Sequence, residues 1–269
     1  MDCNRERKIE IGNVPDFWER VCASGTRFLG LDYDGTLAPF HVDPMQARPL
    51  SGVLELLRAI VAKDKMSVAV VSGRPVAEVL ELLENLPVTI IGSHGFELRR
   101  PDDDTCIVRS PSAEQKEGLQ KAKTKALQRG YGRKLEFKIA SIAMHTRGVD
   151  ARLASTMEES MFTEWSRLAL LYDLECRRFN GGVEIRCAGW HKGDAVSELL
   201  FHQPPGVFPV YVGDDETDED AFRIIQERGI GIKVGTSSYP TAAKGFLKDC
   251  QAVKQFLEAW ISLTCTCGS

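Results

Sequence analysis

The chain has 269 residues, 43% of them hydrophobic and 27% charged, with a formal net charge of -4. That is the composition of a globular protein with one large core, or a core and a smaller second domain. The mildly acidic balance gives no electrostatic case for nucleic-acid binding, and no apolar run approaches the roughly 18 residues needed to span a bilayer. The opening segment, Met1 to Glu10, is charged and lacks an apolar signal-peptide core. The eight cysteines are scattered, so reduced thiols and a cytoplasmic location are expected.

A first amphipathic segment surrounds Phe17-Trp18. Phe28 to Leu31 then reads as a short buried strand that runs into Asp32-Tyr-Asp34-Gly-Thr36. Two carboxylates at the mouth of a buried parallel strand are costly unless paired or metal-bound, and ligands of open α/β sheets sit at that end of the strands. After a Pro-rich loop, a helix starts at Pro49-Leu-Ser51, with Leu54, Leu57, Ile60 and Val61 on one face. Ser67 to Val71 is a second strand, ending in Ser72-Gly73-Arg74-Pro75, and Pro75 opens the next helix. Val88 to Ile91 is a third strand, ending in Gly92-Ser-His94-Gly. Strand alternating with helix in this way predicts right-handed crossovers and a parallel sheet.

The rhythm changes after Pro101-Asp-Asp-Asp104. A Lys-rich helix is expected over 112–129, and the alternation of Leu135, Phe137 and Ile139 predicts one half-exposed strand over 135–147. A long helix is expected over 150–169, then strands 171–179 and 183–187 around an Asn180-Gly-Gly turn. The block 109–186 is expected to be an inserted α+β domain, and 1–108 with 187–269 the α/β core. The parallel pattern returns with a helix led by Lys192, a strand at 207–212 ending in Gly213-Asp214-Asp215-Glu-Thr-Asp218, a further helix and strand, and a closing helix over 251–263.

Each polar signature has a bland alternative. Asp-x-Asp-Gly favours turns, Ser72 is a plausible helix cap, Lys192 alone is most simply a solvated lysine, and the 214–220 run suits a helix dipole. Their order, each at the end of an element, is more specific than any of them. Gly229-Ile-Gly231 lacks the full dinucleotide fingerprint. The 214–220 run lacks the spacing of an EF-hand loop.

Asp32-x-Asp34-Gly-Thr36, Ser72, Lys192 and Gly213-Asp214-Asp215 resemble the four motifs of the haloacid dehalogenase superfamily of phosphotransferases, and the inserted block sits where that superfamily places its C2-type cap. Asp32-Tyr-Asp-Gly-Thr-Leu-Ala-Pro39, Val71-Ser-Gly-Arg-Pro75, Gly92-Ser-His-Gly95, His191-Lys-Gly193 and Gly213-Asp-Asp-Glu-Thr-Asp-Glu-Asp-Ala-Phe222 resemble, within it, the trehalose-6-phosphate phosphatases. The resemblance implies a Rossmann-like core with an α+β cap and Mg²⁺-dependent hydrolysis of a sugar phosphate through an aspartyl-phosphate. It makes Asp32 the nucleophile and Asp34 the general acid and base. Mg²⁺ would sit on Asp32, the Asp34 carbonyl and Asp214, supported by Asp215 and Asp218. Thr36, Ser72, Gly73 and Lys192 would hold phosphate. His94, Glu136, Lys138, His145, Arg147, Asn180 and Glu184 are the candidates for sugar contacts; the trehalose-phosphate enzymes tend to carry a lysine where this chain has Asn180. The substrate implied is trehalose 6-phosphate, with a trehalose-phosphate synthase as candidate partner. The alternatives are another sugar phosphate or phosphorylated glycoside, a mutase, or a non-catalytic sugar-phosphate sensor.

Overall fold

The computed structural model describes residues 11–103, 105–179, 181–236 and 240–264. In chain order it begins with α1 (Phe17–Ala23), β1 (Arg27–Asp32), α2 (Val53–Val61), β2 (Met66–Val71), α3 (Val76–Leu82), β3 (Thr89–Gly92), β4 (Glu97–Arg99) and β5 (Ile107–Val108). The middle of the chain forms α4 (Ala113–Gln128), β6 (Leu135–Phe137), β7 (Ser141–His145), α5 (Ala151–Ala169), β8 (Leu174–Phe179) and β9 (Gly182–Cys187). It closes with α6 (Lys192–Phe201), β10 (Phe208–Gly213), α7 (Glu219–Ile225), β11 (Ile230–Val234), β12 (Gly245–Leu247) and α8 (Cys250–Thr264). The chain divides into two compact units, one from the residues up to Ile107 together with those from His191, the other Val108–Trp190.

The first unit is built on a sheet ordered β12-β11-β10-β1-β2-β3-β4-β5 among the described residues. From β12 to β3 the neighbours run parallel, and β4 turns back antiparallel on β3. β1 is buried on both faces, as central parallel strands are. Its alternate side chains go to different layers. Leu29 and Leu31 join the cluster that holds Phe17, Leu57, Val79, Phe256 and Trp260, whereas Phe28 joins Val196, Leu199, Phe222 and Ile225. Helices α1, α2, α3 and α8 therefore cover one face, and α6 and α7 the other. β1 has β2 on one side and β10 on the other, so the chain reverses its winding direction at β1. Such a switch point leaves a crevice beyond the carboxyl ends of the strands.

The second unit is an antiparallel sheet, β6-β7-β9-β8, on which α4 and α5 pack. Ser112 and Gln115 close a capping box at the start of α4, and Asp150 caps α5 by accepting from the amides of Arg152 and Leu153. The stretch 135–147 is a hairpin rather than the single strand expected. The chain turns at 138–140, where the Lys138 amide donates to the Ser141 carbonyl at 2.9 Å, and β6 and β7 pair antiparallel. Polar–apolar alternation continues through the turn, so periodicity alone does not reveal it. Among the described residues no helix is long and apolar enough to cross a membrane. Cys22, Cys106, Cys176, Cys187 and Cys250 are free thiols.

Candidate active site

Three strand ends and one helix start meet in the first unit. Asp32 ends β1 beside Val71 of β2, and Asp214 follows the last residue of β10. Lys192 opens α6, with its side chain buried (3% exposed) beside an equally enclosed Asp32. Its Nζ donates to Asp32 Oδ1 at 2.6 Å and to Asp218 Oδ1 at 2.8 Å. Asp218 accepts on both oxygens. Oδ1 also accepts from the Tyr211 hydroxyl at 2.7 Å, and Oδ2 accepts from the Asp215 amide at 2.9 Å. Space for the Tyr211 ring comes from β1, where a Cβ on Gly30 would lie 2.6 Å from Cδ2 of that ring.

One oxygen each of Asp32, Asp214 and Asp218 lies within 4.8 Å of the others. Burial pushes the Asp32 carboxyl well above its ordinary range; Lys192 opposes this, and Asp218 and Asp214 add to it. Asp214 is pushed up to about 8 by burial and by Asp218 and Asp215, against Lys192 and Lys233. Burial also works against the Lys192 charge, but Asp218 and Asp32 outweigh it and raise the pKa. The cluster thus has more buried carboxylate than ammonium to balance it. Asp214 Oδ1 is buried with no hydrogen-bond partner among the described residues. A pocket of oxygen donors with an unfilled lone pair and surplus negative charge fits a hard divalent cation such as Mg²⁺.

Asp34 faces a different partner. Arg74 Nε donates to Asp34 Oδ2 and Nη2 to Oδ1, each at 2.7 Å. Gly35 turns the chain at φ +77°, in the left-handed region, and the Gly35 amide donates to the Ala38 carbonyl at 2.8 Å. Thr36 is fully buried, and its hydroxyl has no hydrogen-bond partner among the described residues. Ser72 follows β2, and its Oγ accepts from the Arg74 amide at 3.1 Å. Ser72 and His94 are laced together, the His94 amide donating to the Ser72 carbonyl at 3.1 Å. A Cβ on Gly73 would lie 2.6 Å from the His94 ring, so glycine there lets imidazole and loop approach. Asp215 accepts from the Glu216 amide at 2.6 Å and caps the short 3₁₀ turn Glu216–Asp218.

The expected sugar contacts fall in the second unit, apart from His94. Glu136 (β6), Lys138, His145 (β7) and Glu184 (β9) form one charged group: His145 Nε2 to Glu136 Oε2 is 2.6 Å, and Lys138 Nζ is 3.6 Å from Glu136 and 3.4 Å from Glu184. Ser141 Oγ donates to Glu184 Oε1 at 2.7 Å. Burial works against the Glu136 charge, but the His145 bond and Lys138 outweigh it and lower its pKa. Arg147 occupies the space over Gly181, which any Cβ there would invade. Asn180 lies outside the described residues.

Three residues of the site were not singled out from the sequence. Arg74 sits inside the quoted Ser-Gly-Arg-Pro stretch, but nothing local tells that it reaches Asp34. Tyr211 reads simply as part of an apolar strand. Lys233 has a visible signal, a lysine in the middle of the buried run Ile230–Val234; it is 1% exposed and donates to the Asp214 carbonyl.

Solved structures share this fold of a parallel core with an inserted α+β unit: a haloalkanoate-superfamily phosphatase of Bacteroides thetaiotaomicron superposes with a TM-score of 0.59 at 17% identity, over 87% of this chain and 95% of that one. The trehalose-phosphatase family model matches residues 30–251. This chain belongs to that family. A bifunctional trehalose-6-phosphate synthase/phosphatase of Thermoproteus tenax is 33% identical over 232 residues, covering 86% of this chain and 31% of that protein. Trehalose-phosphate phosphatase B of Arabidopsis thaliana is 30% identical over 251 residues, covering 85% and 64%. The chain therefore spans about a third of the first and just under two thirds of the second. The C-terminal domain of Candida albicans trehalose-6-phosphate phosphatase superposes with a TM-score of 0.83 at 23% identity, over 95% of this chain and 99% of that one.

Proposed function

We propose that this protein hydrolyses a sugar phosphate, trehalose 6-phosphate, to the free sugar and phosphate. The observation that carries this reading is the buried lysine of α6 bonded at 2.6 Å to the carboxylate that ends β1, within a cluster of three carboxylates at the sheet's switch point. An Asp32 oxygen attacks phosphorus and forms an aspartyl-phosphate as the sugar oxygen departs. Asp34 gives that oxygen its proton, then takes a proton from the water that releases phosphate and restores Asp32. Lys192, anchored by Asp218, holds a fixed positive charge against the phosphoryl oxygens. Ser72, Gly73 and Thr36 offer the remaining hydroxyl and amide donors.

Asp32, Asp214 and the carbonyl of Asp34 would hold Mg²⁺, with Asp215 and Asp218 as supports. The cation supplies charge neutralisation of the phosphate dianion. Glu136, Lys138, His145, Arg147, Asn180 and Glu184 on the inserted unit, with His94 on the core, would bind sugar hydroxyls, making 109–186 the specificity cap. A trehalose-phosphate synthase is the natural supplier of the substrate, and the relatives that carry synthase names support that link. A cytoplasmic location goes with it.

Phosphate release by the purified chain tests the reading. Trehalose 6-phosphate, glucose 6-phosphate and other sugar phosphates are compared, with Mg²⁺ or with a chelator. The expected result is Mg²⁺-dependent release fastest from trehalose 6-phosphate and abolished in Asp32→Asn. Equal rates on glucose 6-phosphate would defeat the choice of sugar. No release from any phosphomonoester would defeat the phosphatase reading and favour a sensor.

A further inference from the structure

The arginine of Ser72-Gly-Arg74-Pro stands one residue from a glycine and two from a serine that the proposed function assigns to phosphate. Its position invites a phosphate-clamp role. The structure assigns it a different task. Each of its three terminal nitrogens has a carboxylate partner within the unit: Nε and Nη2 the two oxygens of Asp34 at 2.7 Å, and Nη1 Glu78 of α3 at 3.5 Å. The side chain is 10% exposed, and its guanidinium carbon lies 5.5 Å from the centre of the Tyr33 ring. We infer that Arg74 is a positioning residue for Asp34: its planar fork fixes the direction of the Asp34 carboxylate at the end of β1, and it does not bind phosphate.

Three features support this. First, the contact is bidentate, and a two-point bond to a carboxylate fixes a plane and a direction, which a single ammonium cannot do. Second, the backbone of the same residue is tied down independently, its amide to Ser72 Oγ at 3.1 Å and its carbonyl to the Ser93 amide at 2.7 Å. The side chain therefore extends from a fixed base, and Glu78 holds its far side from the first turn of α3. Third, Asp34 follows a strand and precedes the left-handed Gly35, so its backbone is set by the turn, and the Arg74 fork bonds both oxygens of its carboxylate. A group that must reach a leaving oxygen works only near its productive direction, and a displacement of about 1 Å costs about 100-fold in rate. When the sugar phosphate is bound, Asp34 exchanges one of its two Arg74 bonds for the leaving oxygen, and the other remains as the pivot.

The inference rests on the assignment of Asp34 in the proposed function, and the experiment separates the two. Arg74→Ala, Arg74→Lys, Asp34→Asn and the double variant Arg74→Ala/Asp34→Asn are assayed on the sugar phosphate and on p-nitrophenyl phosphate, whose leaving group departs without a proton. Inhibition by inorganic phosphate is measured in each, and melting curves check folding. The expected result is that Arg74→Ala lowers kcat on the sugar phosphate about 100-fold, since a positioned acid is worth 100-fold or more, with KM and phosphate inhibition nearly unchanged. In the first-turnover burst of leaving group, which precedes the water step that Asp34 serves on either substrate, the loss on p-nitrophenyl phosphate is about tenfold or less; Arg74→Lys recovers part of the rate, and the double variant is no slower than Asp34→Asn. Three results would overturn the inference: weaker phosphate inhibition that matches the loss, which makes Arg74 a phosphate ligand; equal losses on both substrates in the first-turnover burst, which makes its role merely structural; or losses that multiply in the double variant. If Arg74→Ala melts before assay, Arg74→Lys and Arg74→Gln carry the same comparisons. An unimpaired Asp34→Asn defeats the Asp34 assignment, and an inactive wild type defeats the proposed function; each takes the inference with it and is recognised by its own control.

Discussion

Asp214 occupies the space that a side chain on Gly35 would need: a Cβ built on Gly35 overlaps the Asp214 carboxylate. The turn after β1 and the acidic loop after β10 are thus fitted to each other at one missing carbon. Two separate demands fall on Gly35, the left-handed φ of +77° and this close approach.

Gly35→Ala meets both obstacles. The backbone strain alone costs about 1–2 kcal/mol, and displacement of Asp214 spoils the carboxylate cluster. The expected outcome is a modest fall in melting temperature with a large rise in the Mg²⁺ concentration that half-saturates activity, read by metal titration. A variant with normal metal dependence would mean that Asp214 does not need its present position.

Lys192→Met removes the ammonium from a cluster of buried carboxylates. Breaking a buried pair by deleting one partner costs about 3–5 kcal/mol. The carboxylates left behind relieve part of that by protonation, so denaturant unfolding is expected to show a loss of about 3 kcal/mol or less, with activity reduced at least about 100-fold by the lost preorganised charge. Unchanged stability would place Lys192 outside the charge balance of the site.

Glu175 on β8 accepts from Arg186 Nη2 at 2.9 Å and from Arg177 Nε at 3.2 Å. Burial works against its charge, but Arg186 and Arg177 outweigh this and lower its pKa below the ordinary 4.5. A depressed carboxyl binds fewer protons in the folded than in the unfolded chain, so its contribution is present above the unfolded value and disappears as pH falls through the folded one. The melting-temperature gap between wild type and Glu175→Gln should therefore be full at pH 6–7 and shrink between about pH 5 and 3. A gap that does not change with pH would show that packing, not charge, is lost in the variant.

Burial pushes the Cys187 thiol up to about 12, and those of Cys176 and Cys250 up to about 11. The thiolate is the reactive form, so a brief iodoacetamide pulse at pH 8 should leave the Cys187 peptide unlabelled in native protein and label it after unfolding, read by mass spectrometry. Rapid native labelling of Cys187 would contradict its burial.

Much of the site was legible because the chemistry sits at element ends. Asp32, Ser72, Lys192 and Asp214 could be listed from the sequence because a buried apolar run stops at each strand end and a helix begins at Lys192. What joins them was not legible. Lys192 reaches Asp32 across 160 residues, and Arg74 reaches Asp34 across 40, distances at which local pattern carries no information. The role of Asp218 was left open for the same reason. It stands in a run of acidic residues that suits a helix dipole, yet it is fully buried beneath Tyr211 and Lys192. β4 and β12 were missed because three residues each show no period, and the 138–140 turn because alternation passes through it.

The absent side chain at Gly30 has a consequence far from its own position. Gly30 makes room for Tyr211, Tyr211 bonds Asp218, Asp218 bonds Lys192, and Lys192 bonds Asp32. A vertical column of dependence thus runs from the middle of the sheet up to the reactive oxygen. A saturating variant library would see it as a line of intolerant positions beneath the site, at Gly30, Tyr211 and Asp218, none of which is proposed to touch substrate. Gly30→Ala would count among inactive variants in a screen although every residue proposed to carry the chemistry is intact.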